Sequence, residues 1–184
     1  MTELTPQAPL SAQNKVQPFR FAVSATFTAE PLAAALTFWG RQLGLPLEVS
    51  FAPYNQVEQT LLSPQSEFGQ NTHGVNVVLC RIEDLAQFDL SNGDATAQLE
   101  HNARQMAATL TQSTSRLNVP LVLCLCPASP VYAVPEAVEQ IFSTLAGVQV
   151  IDARELASLY PVDSWYDAGA ERIGRIPYTE MWFA

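Results

Sequence analysis

A chain of 184 residues, 48% hydrophobic and 15% charged, has the size of one domain with a single core and too few charges for a disordered protein. Its net charge of -9 and nine scattered Lys and Arg residues exclude the clustered basic surface that nucleic acid or an anionic membrane requires. No apolar run approaches the roughly 20 residues of a membrane helix.

Residues 1–18, rich in Thr, Gln, Ala and Pro and without a sustained period, read as a flexible leader or linker, and 19–184 as one α/β domain. Pro18 to Thr26 is expected to form the first strand. A helix to about Leu43 follows, with Thr28 as its cap, Pro31 in its first turn and Gly44 as its stop. Leu32, Leu36, Trp39 and Leu43 recur at helical spacing and are expected to form its buried face. Leu47 to Phe51 is a second strand, and a second helix carries Val57, Leu61 and Leu62 up to Ser63-Pro64. Val75 to Cys80 is nearly all apolar, as strands buried on both faces of a parallel sheet are.

After a loop containing Asn92-Gly93-Asp94, the longest helix places Leu99, Ala103, Met106, Leu110 and Leu117 on one stripe. Pro120 to Cys126 reads as the fourth strand, Pro135 to Leu145 as a helix, and Val148 to Ile151 as the fifth strand, ending on Asp152. Arg154 to Leu159 suits a short helix, and Asp163 to Tyr178 an irregular loop rich in aromatics and charges. Apolar strands alternating with helices require crossovers, and so a parallel sheet covered on both sides. The simplest such architecture is α/β, a three-layer flavodoxin-like sheet of five strands in the order 2-1-3-4-5, with its switch point beside strand 1.

That fold gathers polar residues at the carboxyl ends of the strands: Ser24, Thr26 and Thr28, then Tyr54 and Asn55, then Arg81, Glu83 and Asp84, then Cys126, Ser129 and Asp152. The late segment adds Asp163, Asp167, Arg172 and Arg175. Such a rim suits a polar ligand, and the solvation of loops alone also accounts for it. Ser24 and Thr26 hold candidate nucleophile positions. A hydrolytic triad also needs a base, yet the two histidines, His73 before strand 3 and His101 on the polar face of the long helix, follow no strand end. The sequence has no phosphate loop, no dinucleotide turn, no nucleophile elbow and no D-x-D-x-T motif. Cys124 and Cys126 can share a strand face but lack further ligands, so no metal and no cofactor is implied. Cys80, Cys124 and Cys126 form no disulfide framework, and the N-terminus lacks a signal-peptide core, so a reduced, cytoplasmic protein is expected.

Four stretches together resemble the N-terminal domain of FkbH-like proteins of polyketide and nonribosomal-peptide assembly lines. They are Ala25-Thr26-Phe27-Thr28-Ala29-Glu30-Pro31-Leu32, Phe51-Ala52-Pro53-Tyr54-Asn55-Gln56-Val57, Gly74 to Leu79 leading to Arg81-Ile82-Glu83-Asp84, and Arg175-Ile176-Pro177-Tyr178-Thr179. The resemblance covers about residues 19 to 184 and implies an SGNH-hydrolase-like fold preceding a haloacid-dehalogenase-like domain that makes glyceryl units and loads them on a carrier protein. An apolar end at Met181-Trp182-Phe183-Ala184 agrees with a domain cut from a modular protein.

Carried onto this sequence, the SGNH nucleophile falls on Thr26 or Ser24, the third-block Asn near Glu83, the late Asp on Asp163 or Asp167, and the His on Arg175, which cannot act as a base at neutral pH. The resemblance therefore implies a degenerate, non-hydrolytic domain with Thr26, Thr28, Asn55, Glu83, Asp163, Asp167 and Arg175 around a cleft. Arg175 would pair a phosphate or carboxylate there. Its expected partners are neighbouring synthase domains or an acyl carrier protein. Two alternatives stand beside this reading. One is an active esterase or acyltransferase using Ser24 or Thr26. The other is a structural spacer or dimerisation module that buries Trp165, Tyr166, Trp182 and Phe183 against another chain.

Overall fold

The computed structural model describes residues 17–86 and 95–184. Five strands, β1 (Phe19–Ala25), β2 (Leu47–Phe51), β3 (Gly74–Arg81), β4 (Leu121–Cys126) and β5 (Val148–Ile151), pair in parallel in the order β2-β1-β3-β4-β5. The fold is the expected three-layer, flavodoxin-like α/β sheet. The order in which strands are added reverses between β1 and β3, which run parallel side by side from Arg20↔Gly74 to Ala25↔Leu79. Gly74 makes this pairing possible. Its φ is 149° and a Cβ there would lie 1.9 Å from the Arg20 carbonyl oxygen, so only glycine lets the two backbones meet. The expected leader and the Asn92-Gly93-Asp94 loop fall outside the described residues, apart from Gln17 and Pro18.

Strand alternation gives the sheet two apolar faces. Ala22, Val78, Cys80, Leu123 and Leu125 face one core, shared with α2 (Val57–Leu62), α3 (Ala95–Ser113) and α4 (Glu136–Phe142). The α3 stripe is buried as its spacing requires, from Leu99 through Ala103 and Met106 to Leu110, and Leu117 packs against the same core beyond the end of the helix. Val23, Ala25, Leu79, Cys124 and Cys126 face the other core. That face is covered by residues of α1 (Leu32–Gln42), α5 (Ala153–Leu159) and the last segment of the chain.

The last segment departs most from expectation. Asp163 to Tyr178 is not one irregular loop, because it contains α6 (Ala168–Gly174) and an antiparallel bridge between Tyr166 and Tyr178, followed by α7 (Glu180–Phe183). Trp165, Trp182 and Phe183 pack into the chain's own second core. Tyr178 is its centre, 2% exposed, edge-on to Phe27 at 5.1 Å and stacked on Trp182 at 3.9 Å. The Tyr178 hydroxyl donates to the Pro127 carbonyl at 2.7 Å, so even its polar atom is satisfied.

Helix α1 also differs from its reading. Trp39 and Leu43 are 53% and 67% exposed, because the helix turns Gly40 toward β2, where a Cβ would sit 2.9 Å from Leu47 Cβ. Close approach at Gly40 turns the contact line toward Ala33, Leu36 and Gly40, so that Leu32 still packs on the second core while Phe38, Trp39 and Leu43 are left outside. Thr28 does not cap α1. Pro31 holds the N-cap position, and the Thr28 hydroxyl donates to the Gly174 carbonyl at 2.7 Å.

If Tyr178 anchors the last segment, Tyr178→Ala should cost about 3–5 kcal/mol in urea unfolding, and Tyr178→Phe about 1 kcal/mol through loss of one buried hydrogen bond. Wild-type stability of the alanine variant would contradict this role.

Candidate functional site

The end of β1 carries two buried hydroxyls on the α2–α3 side of the sheet. Ser24, 1% exposed, donates to Thr60 Oγ1 of α2 at 3.4 Å. Thr26, 3% exposed, donates to Asp84 Oδ2 at 2.9 Å and accepts the Arg81 backbone N–H at 3.1 Å. Its hydroxyl proton is thus directed at a carboxylate and its oxygen at a backbone donor.

Arg81 explains why Asp84 stands there. β3 ends on Arg81 and runs into a 3-10 turn, Ile82–Ala86, which swings Glu83 and Asp84 back to the strand end. The guanidinium, 2% exposed, donates from Nε to Asp84 Oδ2 at 3.1 Å and from Nη2 to Asp84 Oδ1 at 2.6 Å. Its Nε also lies 3.1 Å from Glu83 Oε1, and Nη2 reaches Glu171 of α6. Glu83 in turn accepts the backbone N–H and the hydroxyl of Ser129, each at 2.8 Å, and Glu171 accepts the Tyr166 hydroxyl at 2.5 Å. One guanidinium therefore gathers three carboxylates, two from its own turn and one from the last segment. Its Nη1 is buried without a hydrogen-bond partner.

Burial pushes the Asp84 carboxyl up, and the Arg81 and Thr26 hydrogen bonds offset this only in part. For Glu171, burial acts in the same direction, but hydrogen bonds from Arg81 and Tyr166 prevail and hold its carboxyl below the ordinary value. Burial opposes the charge on Arg81, but hydrogen bonds to Asp84 and Glu171 outweigh it and keep the guanidinium protonated.

Above Thr26 a cavity of about 320 Å³ opens between α2 and α3. It is lined by Thr26, by Asn55, Glu58 and Gln59 from the α2 side, by Asn102, Gln105 and Met106 from α3, and by the apolar Val57 and Leu85. Asn55 adopts a left-handed backbone, φ 54°, which Asn tolerates better than most residues, and its N–H donates to the Ala25 carbonyl at 3.2 Å. The Asn102 amide is held in place, donating to the Leu85 carbonyl at 2.7 Å and accepting from Gln98 at 3.0 Å.

Of the expected site residues, Thr26 and Asn55 meet in this cavity, and Ser24 lies beneath it on Thr60. Glu83 turns toward Ser129. Thr28 and Arg175 meet through their backbones, the Thr28 N–H donating to the Arg175 carbonyl at 2.9 Å, while the Arg175 side chain is exposed. Asp167 caps α6, accepting from Gly169 and Ala170, and Asp163 is exposed. None of Thr28, Glu83, Asp163, Asp167 and Arg175 lines the cavity. His73 packs against the Phe19 ring at the start of β1, about 20 Å along the strand from Thr26 at 3.3 Å per residue. His101 is exposed on α3. Among the described residues no group of three His, Cys, Asp or Glu is placed to hold a metal ion.

Sequence reasoning missed Glu58, Gln59, Asn102 and Gln105, which sit on helices rather than at strand ends. For Asn102 a signal existed: it occupies an i+3 position of the Leu99, Ala103, Met106 stripe, where an apolar residue is the rule.

No protein-family model and no curated protein matches the sequence. The fold is similar to the crystal structure of the N-terminal part of the protein BF1531 from Bacteroides fragilis, which contains a phosphatase domain and was complexed with Mg, at a TM-score of 0.69 and 13% identity. The similarity covers 90% of this chain and 49% of that one, so the chain spans about half the length of its solved neighbour. At this identity the likeness shows the fold. No helix among the described residues is long and apolar enough to cross a membrane.

The charge cluster predicts a pH signature. Glu171 has a lowered folded pKa, so its contribution to stability is present above the ordinary value near about 4.3 and is lost as pH falls through the folded value. Asp84, with a raised pKa, acts with the opposite sign: its ionisation weighs against the fold as pH rises. Glu171→Gln should therefore destabilise the protein at pH 7, with a deficit that shrinks below pH about 4. Arg81→Met should cost about 3–5 kcal/mol at pH 7 by leaving buried carboxylates unpaired. Denaturant unfolding at both pH values checks this, and a pH-independent Glu171→Gln deficit would refute the assignment.

Proposed function

We propose that this chain is an SGNH-hydrolase-like domain that retains the fold without the hydrolysis, of the kind that precedes the catalytic domain of FkbH-like proteins in natural-product assembly lines. It binds a carrier-tethered or small polar intermediate in the cleft over Thr26, in the cytoplasm. Two things support the family reading. The four resembling stretches are carried on the β1 end, the turn before α2, the β3 end and the segment after α6. The solved neighbour is also about twice as long and contains a phosphatase domain, as the pairing of an SGNH-like with a haloacid-dehalogenase-like domain would require.

The observation that carries the non-hydrolytic reading is the state of the Thr26 hydroxyl. It lies at the floor of an open cleft, and the group that takes its proton is Asp84, whose two oxygens are both bound by Arg81. A carboxylate locked in that way is a poor acceptor for a proton in flight, and the cleft contains no histidine to replace it. Neighbouring synthase domains are the second class of partner, and the end of α1 with the turn after it offers them a face: Phe38, Trp39, Leu43 and Leu45 are each more than half exposed.

The Thr26–Asp84 contact is the one feature that favours an active esterase or acyltransferase, since a carboxyl raised by burial can act as a base. Two measurements separate the readings. Titration of the 15N-labelled protein with its phosphopantetheinylated carrier should shift the amides of Asn55, Asn102 and Gln105, and no shift at millimolar carrier would count against binding. Turnover of p-nitrophenyl acetate should equal the buffer rate in wild type, Ser24→Ala and Thr26→Ala alike. Turnover by the wild type that disappears in either variant would replace the binding reading with the enzymatic one.

A further inference from the structure

The lining of the Thr26 cleft defines the charge of what it can hold. The side chains of Asn55, Gln59 and Gln105 make no hydrogen bond to another described residue, so three primary amides present both donors and acceptors to the cavity. Among the described residues no Lys or Arg lines it, and the one charged side chain in its lining is the carboxylate of Glu58. The cation nearest the floor, Arg81, is already shared among Asp84, Glu83 and Glu171. Arg104, on the adjacent turn of α3, is paired with Glu100 at 2.8 Å. An anion entering the cleft would thus find, among the described residues, Glu58 at the wall, an excess of carboxylates beneath the floor and no uncommitted cation in the lining, in a chain of net charge -9.

Resting on the reading of this cleft as a ligand site, we infer that it takes an uncharged chain of amide and hydroxyl groups and rejects carboxylates and phosphates. Amides recognise such a chain because each one donates and accepts at once. Val57, Leu85 and Met106 supply the apolar contact for the carbons between the polar groups. An anionic end of the same molecule stays outside. This differs from a site organised by Arg175, whose exposed side chain is not part of the cavity lining.

The test is a matched pair, pantothenamide and pantothenate, which differ by a terminal amide against a carboxylate. Each is titrated into the full chain at pH 7 and followed by the amide signals of Asn55, Asn102 and Gln105. Pantothenamide is expected to bind at least about ten-fold more tightly, since a like charge in a partly desolvated site is strongly disfavoured. Gln59→Lys, at an exposed position whose change leaves the core intact, should narrow or reverse that preference. Equal or tighter binding of pantothenate by the wild type would overturn the inferred selectivity and leave the ligand site standing. Failure of both compounds to bind at about 20 mM, far above the roughly millimolar range of fragments this small, would overturn the site reading as well.

Discussion

The buried guanidinium of Arg81 joins three parts of the chain that are distant in sequence. It closes the turn after β3 through Glu83 and Asp84, it fixes the β1 end through the Asp84 contact with Thr26, and it ties α6 to the sheet through Glu171. Burying such a group is unfavourable unless its donors are matched, and a buried ion cluster adds little net stability over apolar packing. What it contributes is geometry. Through Glu171 it meets the same last segment whose Tyr178 fills the second core with its hydroxyl on Pro127.

The same cluster sets the chemistry of the β1 end. In an open α/β sheet the switch point is where ligands bind, and here that position holds a hydroxyl engaged on both sides rather than a free nucleophile. The cleft above it opens between two helices that bring neutral amides and the Glu58 carboxylate to its walls. The carboxylate that accepts the Thr26 hydroxyl is salt-bridged to Arg81, and both histidines lie elsewhere.

The sheet order was legible because β3 and β4 are nearly continuous apolar runs separated by helical periods, which admit few arrangements other than a parallel, doubly covered sheet. The face of α1 was not legible, since Leu32, Leu36, Trp39 and Leu43 fit a helical stripe equally well whether Leu36 or Trp39 points inward. Close approach at Gly40, a tertiary effect, decided it. The site was legible in part. Arg81, Glu83 and Asp84 stand together in the sequence, so their meeting at a strand end could be expected, whereas Glu171 lies 90 residues further on and no local pattern connects it to Arg81. Asp167 and Arg175 read as ligands through the family resemblance, at its late Asp and His positions; they stand at the two ends of α6, one as N-cap and one as the left-handed residue that ends the helix.

The central claim is that the hydroxyls of the β1 end hold the fold and floor a binding cleft without serving as nucleophiles. Covalent labelling tests it most directly. The intact protein, incubated at pH 7 with a fluorophosphonate that phosphonylates activated serine and threonine, should carry no adduct on Ser24 or Thr26 when its peptides are analysed by mass spectrometry. A stoichiometric adduct on either residue, abolished by prior unfolding, would contradict the account.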